Sequence, residues 1–284
     1  MEKQPVAYYS YHFIGVKKML GAIIGDIVGS RWEFCPNKRK DFTFITHNNH
    51  ITDDSLMTLA IAKSFLECKS DYSDLSHLVV KNMQYIGNEY PGGGYGLSFK
   101  KWLKEKNPKP YNSFGNGSAM RVSPCGIIAN SLEEAKVLSL KVTEVTHNHP
   151  EGIKGAEATA IAIFMAKTGK NQQEIKEYIN ENYYPMNFSL DSIRSEYEFD
   201  ETCQGSVPQA LMAFFEANDY EDCIRNAVSL GGDADTQAAI AGSIAEYYFG
   251  IPAELRKQSL KYLPNELLKI LTDFEAKYGF KEIK

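Results

Sequence analysis

Two acidic knots stand far apart in the 284-residue sequence, each where a polar turn gives way to a helical pattern. Toward the C-terminus, Leu230-Gly231-Gly232-Asp233-Ala234-Asp235-Thr236 runs into a small, apolar segment that begins at Gln237. Far upstream, Thr52-Asp53-Asp54-Ser55 precedes a pattern carried by Leu56, Leu59, Ala60 and Phe65. Thr52, Asp53 and Asp54 on one side, and Asp233, Asp235 and Thr236 on the other, offer only oxygen. Such sets suit Mg²⁺, Mn²⁺ or Ca²⁺ rather than zinc. Taken singly, either knot is an ordinary helix N-cap. A cap needs one side chain, however, whereas each knot holds two acids, and four clustered carboxylates repel unless cations neutralise them. The expectation is that the knots meet in space and share two cations, bridged at roughly 3.5 to 4 Å, as a clamp for ligand oxygens or a water. Neither knot has the D-x-D-x-[DN]-G loop of an EF-hand.

A different chemistry is offered by Ser113-Phe114-Gly115-Asn116-Gly117-Ser118. Its glycines leave backbone N–H groups open to a phosphate or ribose, and Phe114 can stack on a base. Most such short matches are plain turns, and without a following Gly-Lys-Ser/Thr this is not a Walker loop. Thr146-His147-Asn148-His149-Pro150-Glu151 places two histidines just before a helix, as zinc ligands, substrate contacts or caps. With no nearby cysteine or third histidine, zinc is the weakest of the three. Arg121 either pairs with an acid in the core or reaches a ligand. Asp26, inside an apolar helix, and Glu33, just beyond it, both require partners.

The elements that position these residues read as helices throughout. Gly21, Gly25 and Gly29 fall on one face of the first, a costly placement whose use is close approach of another backbone. Amphipathic or capped segments follow at 74–85, 99–106, 131–144, 150–162, 171–182, 206–217, 219–230, from Pro252, and at 264–277. Phe42-Thr43-Phe44-Ile45-Thr46 alternates weakly, as a short extended piece, and Pro91 to Gly96 is a loop. With no βαβ rhythm, the fold class is all-α in a single domain over residues 19–284. Residues 1–18 precede the first patterned segment and are read as an extension or upstream start that is not essential.

Composition bounds the function. A net charge of −5 with scattered Lys and Arg excludes a nucleic-acid footprint. The stretch from Met19 to Val28 is too short to span a membrane and carries Asp26, and no secretory h-region is present. Five widely spaced cysteines with no C-x-x-C pair read as reduced thiols of a cytoplasmic protein.

The ordered set Gly21-x3-Gly25-Asp26-x2-Gly29-x3-Glu33, Thr52-Asp53-Asp54-Ser55, Gly115 to Arg121, Thr146-His147 and Gly231 to Thr236 resembles the ADP-ribosylglycohydrolase family, over about residues 19–260. The resemblance implies a compact orthogonal helical bundle with two Mg²⁺ or Mn²⁺ ions in a cleft. It further implies cleavage at C1″ of the distal ribose of an ADP-ribosylated protein or small ADP-ribosyl compound. It makes Thr52, Asp53, Asp54, Asp233, Asp235 and Thr236 the metal ligands, and Glu33 a mobile acid at the cleft mouth. Ser113, Phe114, Gly115, Asn116, Gly117 and Ser118 become the diphosphate and adenosine loop, with His147 as a ribose or phosphate contact and the loop from Gly92 to Gly96 also lining the cleft. Asp53 or Glu33 is the expected base. Ser55 stands where Thr is commoner, and a non-catalytic ADP-ribose-binding protein on the same fold is the alternative. A nucleotide phosphohydrolase would call for an HD-type His-Asp pair, which the sequence lacks.

Overall fold

Gly21, Gly25 and Gly29 set the centre of the molecule. In the computed structural model, which describes residues 19–279, they form one face of α1 (Gly21–Gly29), and that face lies directly on α12 (Ala234–Phe249). A β-carbon at Gly25 would stand 2.1 Å from the Ala238 carbonyl oxygen, and one at Gly29 would stand 2.4 Å from the Asp235 Cα. Backbone therefore touches backbone, and no side chain fits between. The start of α1 is held by the buried Glu246 of α12, whose carboxylate accepts from Gly21 N at 2.8 Å and Leu20 N at 3.3 Å. With that end fixed, the glycine face sets the other end of α1 against the start of α12. Residues just past Gly29 are thus brought to the acidic knot at 233–235.

The remaining helices wrap this pair. They are α2 (Asp53–Glu67), α3 (Leu75–Glu89), α4 (Leu97–Trp102), α5 (Ser123–Ile128), α6 (Leu132–Thr143), α7 (Pro150–Lys167), α8 (Gln172–Asn182), α9 (Leu190–Ile193), α10 (Cys203–Phe215), α11 (Tyr220–Val228), α13 (Ala253–Ser259) and α14 (Asn265–Tyr278). The described residues contain no strand, only one bridge between Gly115 and Thr202. The all-α class is as the sequence reads. α7 is the buried small-residue helix, with Pro150 in its first turn and the His149 ring accepting from Glu151 N. Residues 1–18, the expected extension, lie outside the described residues.

Local chemistry explains most boundaries. Asn171 and Glu174 form a complete capping box at α8. At α6 Ser131 caps Glu134 N, but the Glu134 carboxylate reaches back to Asn130 N, one residue before the cap. α10 begins three residues earlier than its apolar pattern, because Thr202 caps it through Gly205 N. α4 ends at Trp102 rather than running to 106. The alternation at 42–46 is real but unpaired with any strand: Phe42 and Phe44 lie parallel at 6.3 Å, and the Arg225 guanidinium sits over both. The five cysteines are free, and no helix among the described residues is long and apolar enough to cross a membrane.

Candidate metal centre and adjoining loop

The two acidic knots meet. Thr236 Oγ1, in the first turn of α12, donates to Asp54 Oδ2, in the first turn of α2, at 3.2 Å. Oxygens of Glu33, Asp233 and Asp235 all lie within 4.8 Å of one another. Glu33, half-buried just past α1, thus stands within reach of the second knot. Thr52, Asp54, Asp233, Asp235 and Thr236 are buried, whereas Asp53 and Glu33 are half-buried. Asp53 sits at the edge, under the loop at 92–96. Its N–H donates to Gly93 O at 2.6 Å, and its Oδ1 is 3.2 Å from where a β-carbon on Gly94 would lie. Gly94 also has φ +95°, a conformation side chains disfavour.

Asp26 organises the first knot from behind. Its carboxylate accepts from Thr52 N at 2.9 Å, Thr52 Oγ1 at 2.8 Å, Ser55 N at 3.0 Å and the Ser55 hydroxyl. It holds the N-terminus of α2 in place. Thr52 spends its hydroxyl proton on Asp26 and accepts the capping bond from Asp54 N at 3.3 Å, which leaves one lone pair for a cation. The sequence shows that Asp26 needs a partner, but which partner is a matter of tertiary structure.

Electrostatics argue that protein alone does not satisfy this cluster. Burial, and then neighbouring acids, push Glu33 up to about 7 and Asp53 up to about 8. Burial likewise holds Asp54 and Asp235 well above the carboxylate range, each raised further by adjacent acids. It also raises Asp233 and Asp26, against their hydrogen bonds. Asp54 Oδ1 is buried with no hydrogen-bond partner. Divalent cations relieve both conditions: they favour ionised carboxylates and fill the open acceptor. The residues present therefore fit a hard-cation centre.

The glycine loop adjoins the acids through Asn116, whose Nδ2 donates to Asp233 Oδ2 at 2.7 Å and to Ser206 Oγ at 3.1 Å. Several of its groups are already committed. Gly115 N donates to Ser113 Oγ, Asn116 N to Glu201 O at 2.8 Å, and Ser118 Oγ to Gly152 O at 2.7 Å. The expected open cradle of N–H groups is thus partly closed by the segment 200–202, a pairing that sequence does not reveal. Phe114 is 44% exposed, with its ring 5.2 Å from His149, so it stays available to stack.

His147 lies buried behind this loop, with Nε2 3.5 Å from where a β-carbon on Gly117 would be. Arg121, also fully buried, donates from Nη2 to Thr146 Oγ1 at 2.6 Å and contacts His147 Nδ1 at 3.4 Å. Among the described residues it makes no ion pair, so of the two readings open for it the core-acid pair is not found; a hydroxyl and a ring nitrogen hold it instead. Burial, and secondarily Arg121, hold His147 well below the usual imidazole range. A neutral ring therefore faces the loop.

Fold and site define an all-α protein built around an oxygen-only carboxylate centre. The ADP-ribosylglycohydrolase family model matches residues 16–279. The ADP-ribosylarginine hydrolase Tri1 of Pseudomonas putida (strain GB-1) is 28% identical, over 82% of this chain and 70% of that protein. The human ADP-ribosylhydrolase ARH3 is 25% identical, over 82% and 84%. The ADP-ribosyl-dinitrogen reductase glycohydrolase of Rhodospirillum rubrum is 24% identical, over 85% and 87%. A solved ADP-ribosylglycohydrolase-related protein complex shares the fold, with a TM-score of 0.65 at 22% identity, covering 90% of this chain and 95% of that one. The chain belongs to the ADP-ribosylglycohydrolase family and is an enzyme of that class.

Proposed function

We propose that this enzyme hydrolyses the C1″ glycosidic bond of an ADP-ribosylated protein or small ADP-ribosyl compound, releasing ADP-ribose, and that it depends on two Mg²⁺ or Mn²⁺ ions. One observation carries the metal reading: Thr236 bonds to Asp54 across the two knots, while Asp54 Oδ1 has no partner at all. Thr52, Asp53, Asp54, Asp233, Asp235 and Thr236 would hold the ions. When bound, the ions supply positive charge that fixes ribose hydroxyls and makes a nearby water more acidic.

The chain's own residues account for the rest. Asn116 fixes the rotamer of Asp233, and Asp26 fixes Thr52 and the start of α2. Phe114 stacks on the adenine, and the neutral His147 ring backs the diphosphate loop. Cleavage passes through an oxocarbenium-like transition state, with water adding to C1″ as the bond to the acceptor breaks. Asp53 is the better placed base, because Glu33 lies among Asp233 and Asp235 whereas Asp53 faces the loop at the edge. It takes the water's proton at a carboxylate oxygen.

The test is release of free ADP-ribose from arginine-, serine- and ester-linked ADP-ribosyl substrates, with Mg²⁺, with Mn²⁺ and with EDTA, by wild type and Asp235→Ala. Metal-dependent release on one linkage, lost in the variant, is the expected result. Tight ADP-ribose binding with no release from any linkage would instead favour a binding protein.

A further inference from the structure

Of the eight large apolar side chains exposed among the described residues, four lie on segments that border the acidic centre: Phe34, Leu97, Phe114 and Phe199. Phe114 is accounted for by the nucleotide. The others are not. Phe34 directly follows Glu33 and is 83% exposed, and its ring stacks on the 46% exposed Phe199 with centroids 6.2 Å apart at 26°. Phe199 is carried by a segment tied to the second knot: the Glu198 carbonyl oxygen lies 3.2 Å from where a β-carbon on Gly232 would stand. The loop at 92–96, which touches Asp53, leads into the 79% exposed Leu97. Stacked phenylalanines left in water cost free energy unless something covers them, and a small ADP-ribosyl compound carries only its small acceptor group beyond the bond to be cut.

The charge around the pair selects what covers it. Glu196, Glu198, Asp200 and Glu201 fall within six residues, and the three glutamates are exposed. Of the cations near, Arg194 is paired with Asp191, and Lys38, which donates to the Tyr197 and Leu230 carbonyls, keeps its charge but is outnumbered by the four acids. The segment therefore presents net negative charge beside two aromatic faces. That combination attracts Lys and Arg side chains, by Coulomb attraction and by cation–π contact.

We infer that Phe34, Phe199 and the acidic stretch 196–201 form a docking surface for the polypeptide flanking the modified residue, and that the substrate is an ADP-ribosylated protein whose modification lies in a basic segment. The inference rests on the hydrolase reading above. It assigns the acceptor side of the site to a protein rather than a small molecule, with recognition reaching beyond the linkage itself.

The experiment compares two ADP-ribosylated peptides of one linkage, flanked by lysines or by glutamates, with the same ADP-ribosyl amino acid lacking flanks. Wild type and a Phe34→Ala/Phe199→Ala double variant are assayed, both residues being exposed enough to change without unfolding the chain. The expected result is about tenfold higher kcat/KM on the lysine-flanked peptide, lost in the double variant and reduced by salt, with the unflanked compound unaffected. Equal turnover of the two peptides by wild type would overturn the inference and leave the hydrolase reading intact. So would an equal loss on the unflanked compound, which would place the aromatic pair against the ADP-ribose itself. Binding of the uncleaved peptides to Asp235→Ala gives the same comparison without turnover: equal affinity there overturns the inference whether or not any linkage is cleaved.

Discussion

The Thr52 hydroxyl donates a hydrogen bond to Asp26 Oδ1 at 2.8 Å, so that a residue at the start of α2 is oriented by one inside α1. Asp26 accepts only, from two N–H groups and two hydroxyls. Asp26→Asn puts an NH₂ against those donors and leaves at least one unsatisfied, at a cost of roughly 1–3 kcal/mol. It also frees Thr52 to turn, so Mn²⁺ affinity should fall by about 10–100-fold, as for other partners that orient metal ligands. Calorimetric Mn²⁺ titration beside a thermal melt checks both. Unchanged affinity would remove Asp26 from the support of the centre.

Close contact between α1 and α12 makes a second prediction. Gly25→Ala places a methyl 2.1 Å from the Ala238 carbonyl oxygen, where only backbone can give way. Overpacking costs about 1–3 kcal/mol, and backbone against backbone belongs at the upper end. Because the same helix pair brings Glu33 to Asp233, Mn²⁺ affinity should fall along with the melting temperature. Gly92→Ala, with nothing within 4 Å of the new methyl, is the stability control and should melt as wild type.

Acidity gives a third. A carboxylate whose folded pKa lies above its unfolded value stabilises the fold most below that unfolded value, about 4, and the contribution is lost as pH rises through the folded pKa. For Glu33 and Asp53 that loss runs up to about 7 and about 8. The chelated protein should therefore melt at falling temperature between about pH 5 and about pH 8. Stabilisation by Mn²⁺ should grow over the same interval, because cations and protons compete for the same oxygens. Melts with EDTA and with Mn²⁺ across that range test it, and a metal-induced shift that ignores pH would place the bound ions elsewhere.

What the sequence showed of this arrangement was what is local. Two neighbouring acids before a helix, or three glycines four residues apart, are patterns one segment carries alone, and both knots and the glycine face stand where those patterns put them. Asp26 was visible as an acid without a partner, but its partners lie on α2, a tertiary fact. The glycine loop looked more open than it is for the same reason: the Glu201 carbonyl that occupies Asn116 N comes from a distant segment. Phe42 and Phe44 alternate as in a strand, yet the face they share is covered by Arg225 rather than by another strand.

Arg121 yields the last prediction. Guanidinium only donates, and Thr146 Oγ1, having accepted from Arg121 at 2.6 Å, turns its own proton to His147 Nδ1 at 2.7 Å. Nδ1 therefore accepts, and the ring's proton sits on Nε2, the nitrogen that faces Gly115 and Gly117. Burial keeps the ring neutral, and the Arg121 charge adds to that effect. Arg121→Met retains bulk but removes both constraints, so His147 should become easier to protonate and should sample the other tautomer. Nitrogen-15 NMR of the imidazole reads this directly: Nε2–H in wild type, a mixture in the variant. Losing one oriented donor beside the proposed diphosphate loop is worth about 1 kcal/mol, roughly fivefold in ADP-ribose affinity. A variant with an unaltered imidazole spectrum but weaker ADP-ribose binding would show Arg121 acting through packing instead.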